Sequence, residues 1–281
     1  MKKWLIARKS VQFLVLLLFL SPLFLVEVAG TNFFYGSLSS SELFGIQLSD
    51  PLGALGVTLA SKKIVWSFIG SALIVFLFYL VISGRVFCSW VCPVNTLLEL
   101  TNSIRKRFKN LPDFQFNLNT KSQLAALVLI LSFVIGVPIF EIISPIGNTL
   151  RNLLFVWGIG IFIILAIVLF DFFVSKRGWC RYLCPVGGFY SSIGKAGQLR
   201  VKIDDEKCVS CMQCKKVCFS HPSILDPAIN GDTTYVTSGD CSLCGACIDA
   251  CSHEALSIGL RPYIQKKQHI EFPNEFKGEK M

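Results

Sequence analysis

Residues 84–95 read GRVFCSWVCPVN, and residues 177–188 read RGWCRYLCPVGG. Cys88 and Cys180 stand 92 positions apart, as do Cys92 and Cys184, and Pro93-Val94 matches Pro185-Val186. Each pair follows closely on an apolar run. The doubled Cys-x3-Cys-Pro therefore reads as an internal repeat, and parallel repeats of this kind place shared sites between their halves. Within each copy, helical i,i+4 spacing puts both thiols on one face, and the proline then turns the chain. Three readings are open for these four thiols: one centre between the halves, two redox dithiols, or small buried residues that let helices pack.

Working outward, the chain has 281 residues, 53% of them hydrophobic and 16% charged. The apolar residues are unevenly spread. Val11–Val28, Ile64–Ser83, Leu124–Ile143 and Leu153–Val174 each approach the ~20 residues a helix needs to cross a membrane. The expected architecture is an α-helical membrane protein of four transmembrane helices, a two-fold repeat of a two-helix unit, followed by a C-terminal α+β ferredoxin-like domain. The boundaries are 1–198 for the membrane part, 199–270 for the soluble domain and 271–281 for a tail. The first apolar run also resembles a secretory signal peptide, but Glu27 interrupts the cleavage region near Val28-Ala29-Gly30, so the run is read as a retained span.

With the N-terminus inside, segments 1–10 and 84–122 hold ten lysines and arginines, against three (Lys62, Lys63 and Arg151) in 29–63 and 144–152. That excess places both termini, and with them every cysteine, in the cytoplasm of a multi-pass inner-membrane protein. Tyr79, Trp66, Trp157 and Trp179 lie near span ends, where aromatic anchors gather. The net charge of +9 is mostly this bias. No basic stripe with interleaved aromatics appears, so nucleic acid is not an expected partner. Structural disulfides are rare in a reducing compartment, and twelve reduced thiols point to metal.

Residues 208–218 read CVSCMQCKKVC and residues 241–251 read CSLCGACIDAC. Both are C-x2-C-x2-C-x3-C, the bacterial ferredoxin run, in which the fourth cysteine serves the other cluster. Cys208, Cys211, Cys214 and Cys251 should hold one [4Fe–4S] cluster, and Cys241, Cys244, Cys247 and Cys218 the second. Zinc, which prefers separated ligand pairs, fits two compressed runs poorly. The proline usual after the fourth cysteine is replaced by Phe219 and Ser252. Arg200–Ile203 and Ala255–Ile258 are expected as flanking strands, and 219–240 as a surface loop. Lys207, Lys215 and Lys216 flank the first run, while Asp240, Asp249 and Glu254 flank the second. On that contrast the first cluster should have the higher potential.

His221, His253 and His269 all lie in the soluble part and no C-x-x-C-H occurs, which leaves no bis-histidine haem in the membrane part and no c-type attachment. Among acids near the spans (Glu27, Glu99, Glu141 and Asp171), Glu141 is the preferred catalytic candidate, as a proton acceptor.

The doubled Cys-x3-Cys-Pro followed by two ferredoxin runs resembles the membrane-bound polyferredoxin family, and within it the NapH type, the quinol dehydrogenase membrane component of periplasmic nitrate reductase systems. The resemblance implies electron transfer from membrane quinol toward that reductase, through a periplasmic ferredoxin-type subunit or a multihaem cytochrome. It carries over the eight C-terminal cysteines as cluster ligands. It also marks Cys88, Cys92, Cys180 and Cys184 as a second cysteine set, for redox work or a third centre. The alternative from another class is an assembly or regulatory factor that reduces metals or thiols during maturation of another enzyme.

Overall fold

The computed structural model describes residues 3–29, 34–36, 40–43, 46–63, 66–108, 111–147 and 159–261. Glu27's side chain, Trp157 and the 271–281 tail fall outside that description.

Helix α1 (Lys3–Ala29) is followed by three short strands, β1 (Phe34–Gly36), β2 (Ser40–Leu43) and β3 (Ile46–Ser49), paired antiparallel in that order. Helix α2 (Pro51–Ser61) starts where Asp50 accepts a hydrogen bond from the Gly53 N–H at 3.0 Å and Pro51 takes the first helical position. Within 29–63, counted above as a segment poor in lysine and arginine, β3 lies along α3 (Trp66–Ile82), with Ser49 Oγ 2.9 Å from Ser71 Oγ, and α2 packs on both α3 and α6 (Thr120–Ile135).

Only Lys3–Ser21 is, by length and composition, long and apolar enough to cross a membrane among the described residues. Phe68–Ile82, Thr120–Ile135 and Gly160–Phe173 are shorter apolar helices at the places expected for the other spans. The 17 residues of α3 give a helix about 25 Å long. The third expected span, 124–143, is not one helix. It stops at Gly136, which takes φ +76°, and Pro138 starts a separate helix, α7 (Ile139–Ile143). The outward faces are apolar: Leu77, Phe78, Val134, Phe162 and Leu169 are all exposed.

The repeat is visible in the backbone. In the first copy α3 leads to α4 (Val86–Trp90), which carries Cys88; Cys92 then caps α5 (Pro93–Arg105). In the second, α8 (Ile159–Phe173) leads to a π-turn (Trp179–Leu183) carrying Cys180, and Cys184 caps α9 (Pro185–Gly194). The Cys92 N–H donates to the Phe87 carbonyl at 3.1 Å and the Cys184 N–H to the Trp179 carbonyl at 2.8 Å, an i→i−5 bond in both copies. Proline at the first helical position then restarts each helix.

The C-terminal module is tied by β4 (Leu199–Ile203) and β5 (Leu256–Leu260), paired antiparallel, close to the expected strands. Segment 219–240 is not a bland surface loop. Ile224, Leu225, Ala228 and Val236 are buried with Val201 and Leu256 in the module's own core. Phe219, in the usual proline's place, is buried beneath the Arg177 guanidinium, 4.4 Å from its ring centre.

Candidate electron-transfer site

Twelve cysteines line three cavities, four to each. Cys208, Cys211, Cys214 and Cys251 line the first; Cys218, Cys241, Cys244 and Cys247 line another. This is the crossed grouping expected from the two runs. Cys88, Cys92, Cys180 and Cys184 line the third, closed by Phe87, Pro145, Ile146 and Trp179. The four upstream thiols thus meet between the halves of the repeat and line one shared cavity.

The loops are shaped for this. Ser210, Met212 and Leu243 take positive φ, as does Gly245, wrapping the short runs around their cavities. Among the described residues no three His, Cys, Asp or Glu side chains converge on one ion position. Four thiols ringing a cavity suit a cluster, in which each binds a different iron, better than a tetrahedral zinc. Burial pushes the Cys241 thiol up to about 12 and the Cys218 and Cys184 thiols up to about 11. A bare thiolate is disfavoured at such positions, and a bound metal would supply the missing positive charge.

The upstream and second cavities are stitched together. Ser89 Oγ donates to the Ser242 carbonyl at 2.7 Å, Trp90 Nε1 to the Leu243 carbonyl at 3.1 Å, and Arg181 to the Cys218 carbonyl at 3.3 Å. Arg85, almost wholly buried, donates to the Cys180 carbonyl at 2.8 Å and to the Asp240 carboxylate at 3.2 Å. Lys121 and Ser191 converge on the same carboxylate oxygen. Burial opposes ionisation of Asp240, but Arg85 and Lys121 together hold its carboxyl below the usual range. The charge contrast expected between the runs is therefore weakened. Asp240 brings two cations with it, Lys215 is paired with Asp226, and Asp249 is used elsewhere.

Asp249 accepts the Trp4 and Leu5 N–H groups at 3.2 and 2.8 Å, at the start of α1. Trp4 stacks edge-on against Trp90, and its side chain fills the space where a Cβ on Gly245 would lie. Gln12 donates to the Ser89 carbonyl at 2.8 Å. The first helix is thus joined to both cysteine regions. Glu99 is ringed by Arg8 at 2.9 Å, Arg177 at 3.6 Å and Lys9, an ion-pair arrangement that ties α1 to α5. Asp171 accepts the Trp179 N–H at 2.8 Å and holds the π-turn. Glu141 stands beside α2: a Cβ on Gly53 would lie 2.6 Å from its Oε1. Arg85, Lys121 and Asp50 were missed as site residues. The signal for Asp50 was present, as Asp-Pro before an apolar stretch is a helix start.

The model of a 4Fe-4S binding domain matches the chain twice, over 64–112 and 156–204, and that of a 4Fe-4S dicluster domain matches 200–252. The two copies are offset by 92 residues, the spacing of the cysteine pairs. The ferredoxin-type protein NapH of Escherichia coli K12 is 35% identical over 92% of this chain and 90% of its own length. The methylamine utilization ferredoxin-type protein MauN of Methylorubrum extorquens is 36% identical over the same shares, and NapH of Haemophilus influenzae 34%. The chain belongs to the NapH/MauN family of ferredoxin-type proteins. No solved structure matches it. As a family member it is an iron–sulfur protein of electron transfer, working within a redox chain.

Proposed function

We propose that this NapH/MauN-type chain is the quinol-oxidising membrane subunit of a pathway to periplasmic nitrate reductase, with three iron–sulfur centres in series. One observation carries this reading: a four-cysteine cavity among apolar helices lies against a second, which shares a module with a third. Cys208, Cys211, Cys214 and Cys251 would hold one [4Fe–4S] cluster, Cys218, Cys241, Cys244 and Cys247 the other. The four upstream cysteines would hold a further centre. When bound, these groups supply one-electron carriers.

The chain's own residues have distinct tasks. Arg85, Arg181 and Lys121 keep positive charge along the seam between the upstream and second cavities. The apolar walls around Cys88 and Cys184 exclude water. Cys211 is exposed, which suits exchange with a partner at the module's surface. Glu141 would take a proton released on quinol oxidation. The exposed apolar faces of α3, α6 and α8 support a multi-pass inner-membrane placement, since patches of that extent are rarely left in water. The lysine and arginine bias supports an N-terminus, cysteines and clusters on the cytoplasmic side.

The test is to add a reduced menaquinol analogue to the anaerobically purified chain and follow the iron–sulfur absorbance. Bleaching is expected, followed by recovery when nitrate reductase, its periplasmic ferredoxin-type subunit and nitrate are supplied. Absorbance that ignores quinol overturns the reading in favour of an assembly or regulatory role.

A further inference from the structure

Between α2 and α3 runs a groove of about 260 Å³, lined by Pro51, Ala54, Thr58, Ala72, Phe76 and Phe189. Its walls are almost entirely apolar. Leu55 and Leu73 also line it and are exposed on the outward face, so the groove opens sideways among apolar surfaces.

Two of the lining residues, Pro51 and Phe189, are chain neighbours of polar groups. Asp50 immediately precedes Pro51, and Tyr190 immediately follows Phe189. The Tyr190 hydroxyl donates to Asp50 Oδ1 at 3.2 Å. The other carboxylate oxygen takes the Gly53 N–H. Glu141 faces the same turn across Gly53. A carboxylate and a phenol therefore stand together just behind the lining, one residue beyond Pro51 and Phe189.

That pair adjoins the upstream cysteines. The Tyr190 ring lies 5.2 Å from Tyr79 and 5.7 Å from Phe87, centre to centre. Phe87 in turn lines the cavity of Cys88, Cys92, Cys180 and Cys184. One aromatic layer separates the acid–phenol pair from the thiols.

We propose that this groove seats the membrane quinol, with its isoprenoid chain between α2 and α3 and a headgroup hydroxyl donating to Asp50. The proposal rests on the quinol reading above and gives that reading a location. The chemistry on both sides agrees. A quinol has a long apolar tail and hydroxyl donors at one end; the groove has apolar walls, and a carboxylate acceptor stands next to its lining residue Pro51. A phospholipid acyl chain would match the walls as well, and displacement by quinol separates the two in the experiment below. Here Asp50 and Tyr190 bind and orient the headgroup, and the small side chains of Ala54 and Ala72 leave room for the tail.

The experiment uses the full chain in nanodiscs and a photoreactive azidoquinone, with labelled peptides mapped by mass spectrometry. Label is expected on α2 and α3, displaced by excess decylubiquinol. Asp50→Asn should weaken labelling about tenfold, the size expected for one hydrogen bond to a charged group. Leu73→Trp, at the exposed mouth, should weaken it similarly; both variants are compared at wild-type iron content. Displaceable label elsewhere overturns the site and leaves the quinol reading standing. Label on α2 and α3 that quinol does not displace marks a lipid groove and overturns the site. No displaceable label anywhere overturns both. Unchanged labelling in the two variants also overturns the site.

Discussion

In the C-terminal module, three of the four cysteines around each cavity come from seven consecutive residues. In the upstream half each Cys-x3-Cys supplies only two, and the complementary pair lies 92 residues away. The first kind of site is encoded in a loop and needs little beyond positive-φ turns to form. The second exists only when two helical units dock, and so depends on everything that docks them. A short motif can carry a ligand set by itself; a repeated half-motif carries it only through tertiary structure.

The sharpest way to break this contrast is to remove ligands. Cys184→Ser is expected to abolish the upstream centre and leave the module's two clusters intact. Cys244→Ser should remove one module cluster, as read by iron content and EPR. If Cys184→Ser lost no iron, the two regions would differ in kind and not merely in assembly.

The next effect concerns docking. Asp240→Asn leaves Arg85 and Lys121 buried without their carboxylate, and breaking such a network costs about 3–5 kcal/mol. Thermal unfolding should show that loss. The upstream centre should suffer before the module clusters do, because Arg85 also holds the Cys180 carbonyl.

A smaller effect is expected at Gly188. An added Cβ would stand 2.3 Å from the Lys121 carbonyl oxygen, where α9 crosses α6. Gly188→Ala should cost about 1–3 kcal/mol by overpacking, again with the upstream site the more sensitive. Smallest is Asp249→Ala, which removes the cap on α1 at about 1 kcal/mol. Faster amide exchange at Trp4 and Leu5, with iron content unchanged, is the expected signature.

The same contrast explains how much was legible beforehand. The crossed grouping of the eight C-terminal cysteines was readable because spacing alone dictates it, as were β4 and β5. The repeat was readable from the identical offset, but its meaning was not. Convergence of Cys88, Cys92, Cys180 and Cys184 depends on docking contacts such as Arg85 with Asp240, 155 residues apart. The inward path of 46–61 was hidden for a similar reason: a window of apolar residues cannot distinguish a loop from a half-length helix packed on α3. Local charge counting failed where partners come from afar, and Asp240 is the clear case. Gly136 and Pro138 did carry the punctuation that ends α6, but the apolar run read straight through them.

The central claim is that three sulfur cavities, not two, hold iron. Iron and labile-sulfide analysis of the anaerobically purified chain tests it directly, paired with the Cys88→Ser/Cys184→Ser double variant. The account predicts more than about eight irons per chain in the wild type, falling to about eight in the variant with both module clusters still visible by EPR. About eight irons in both proteins, with iron content unchanged by the double substitution, would contradict it.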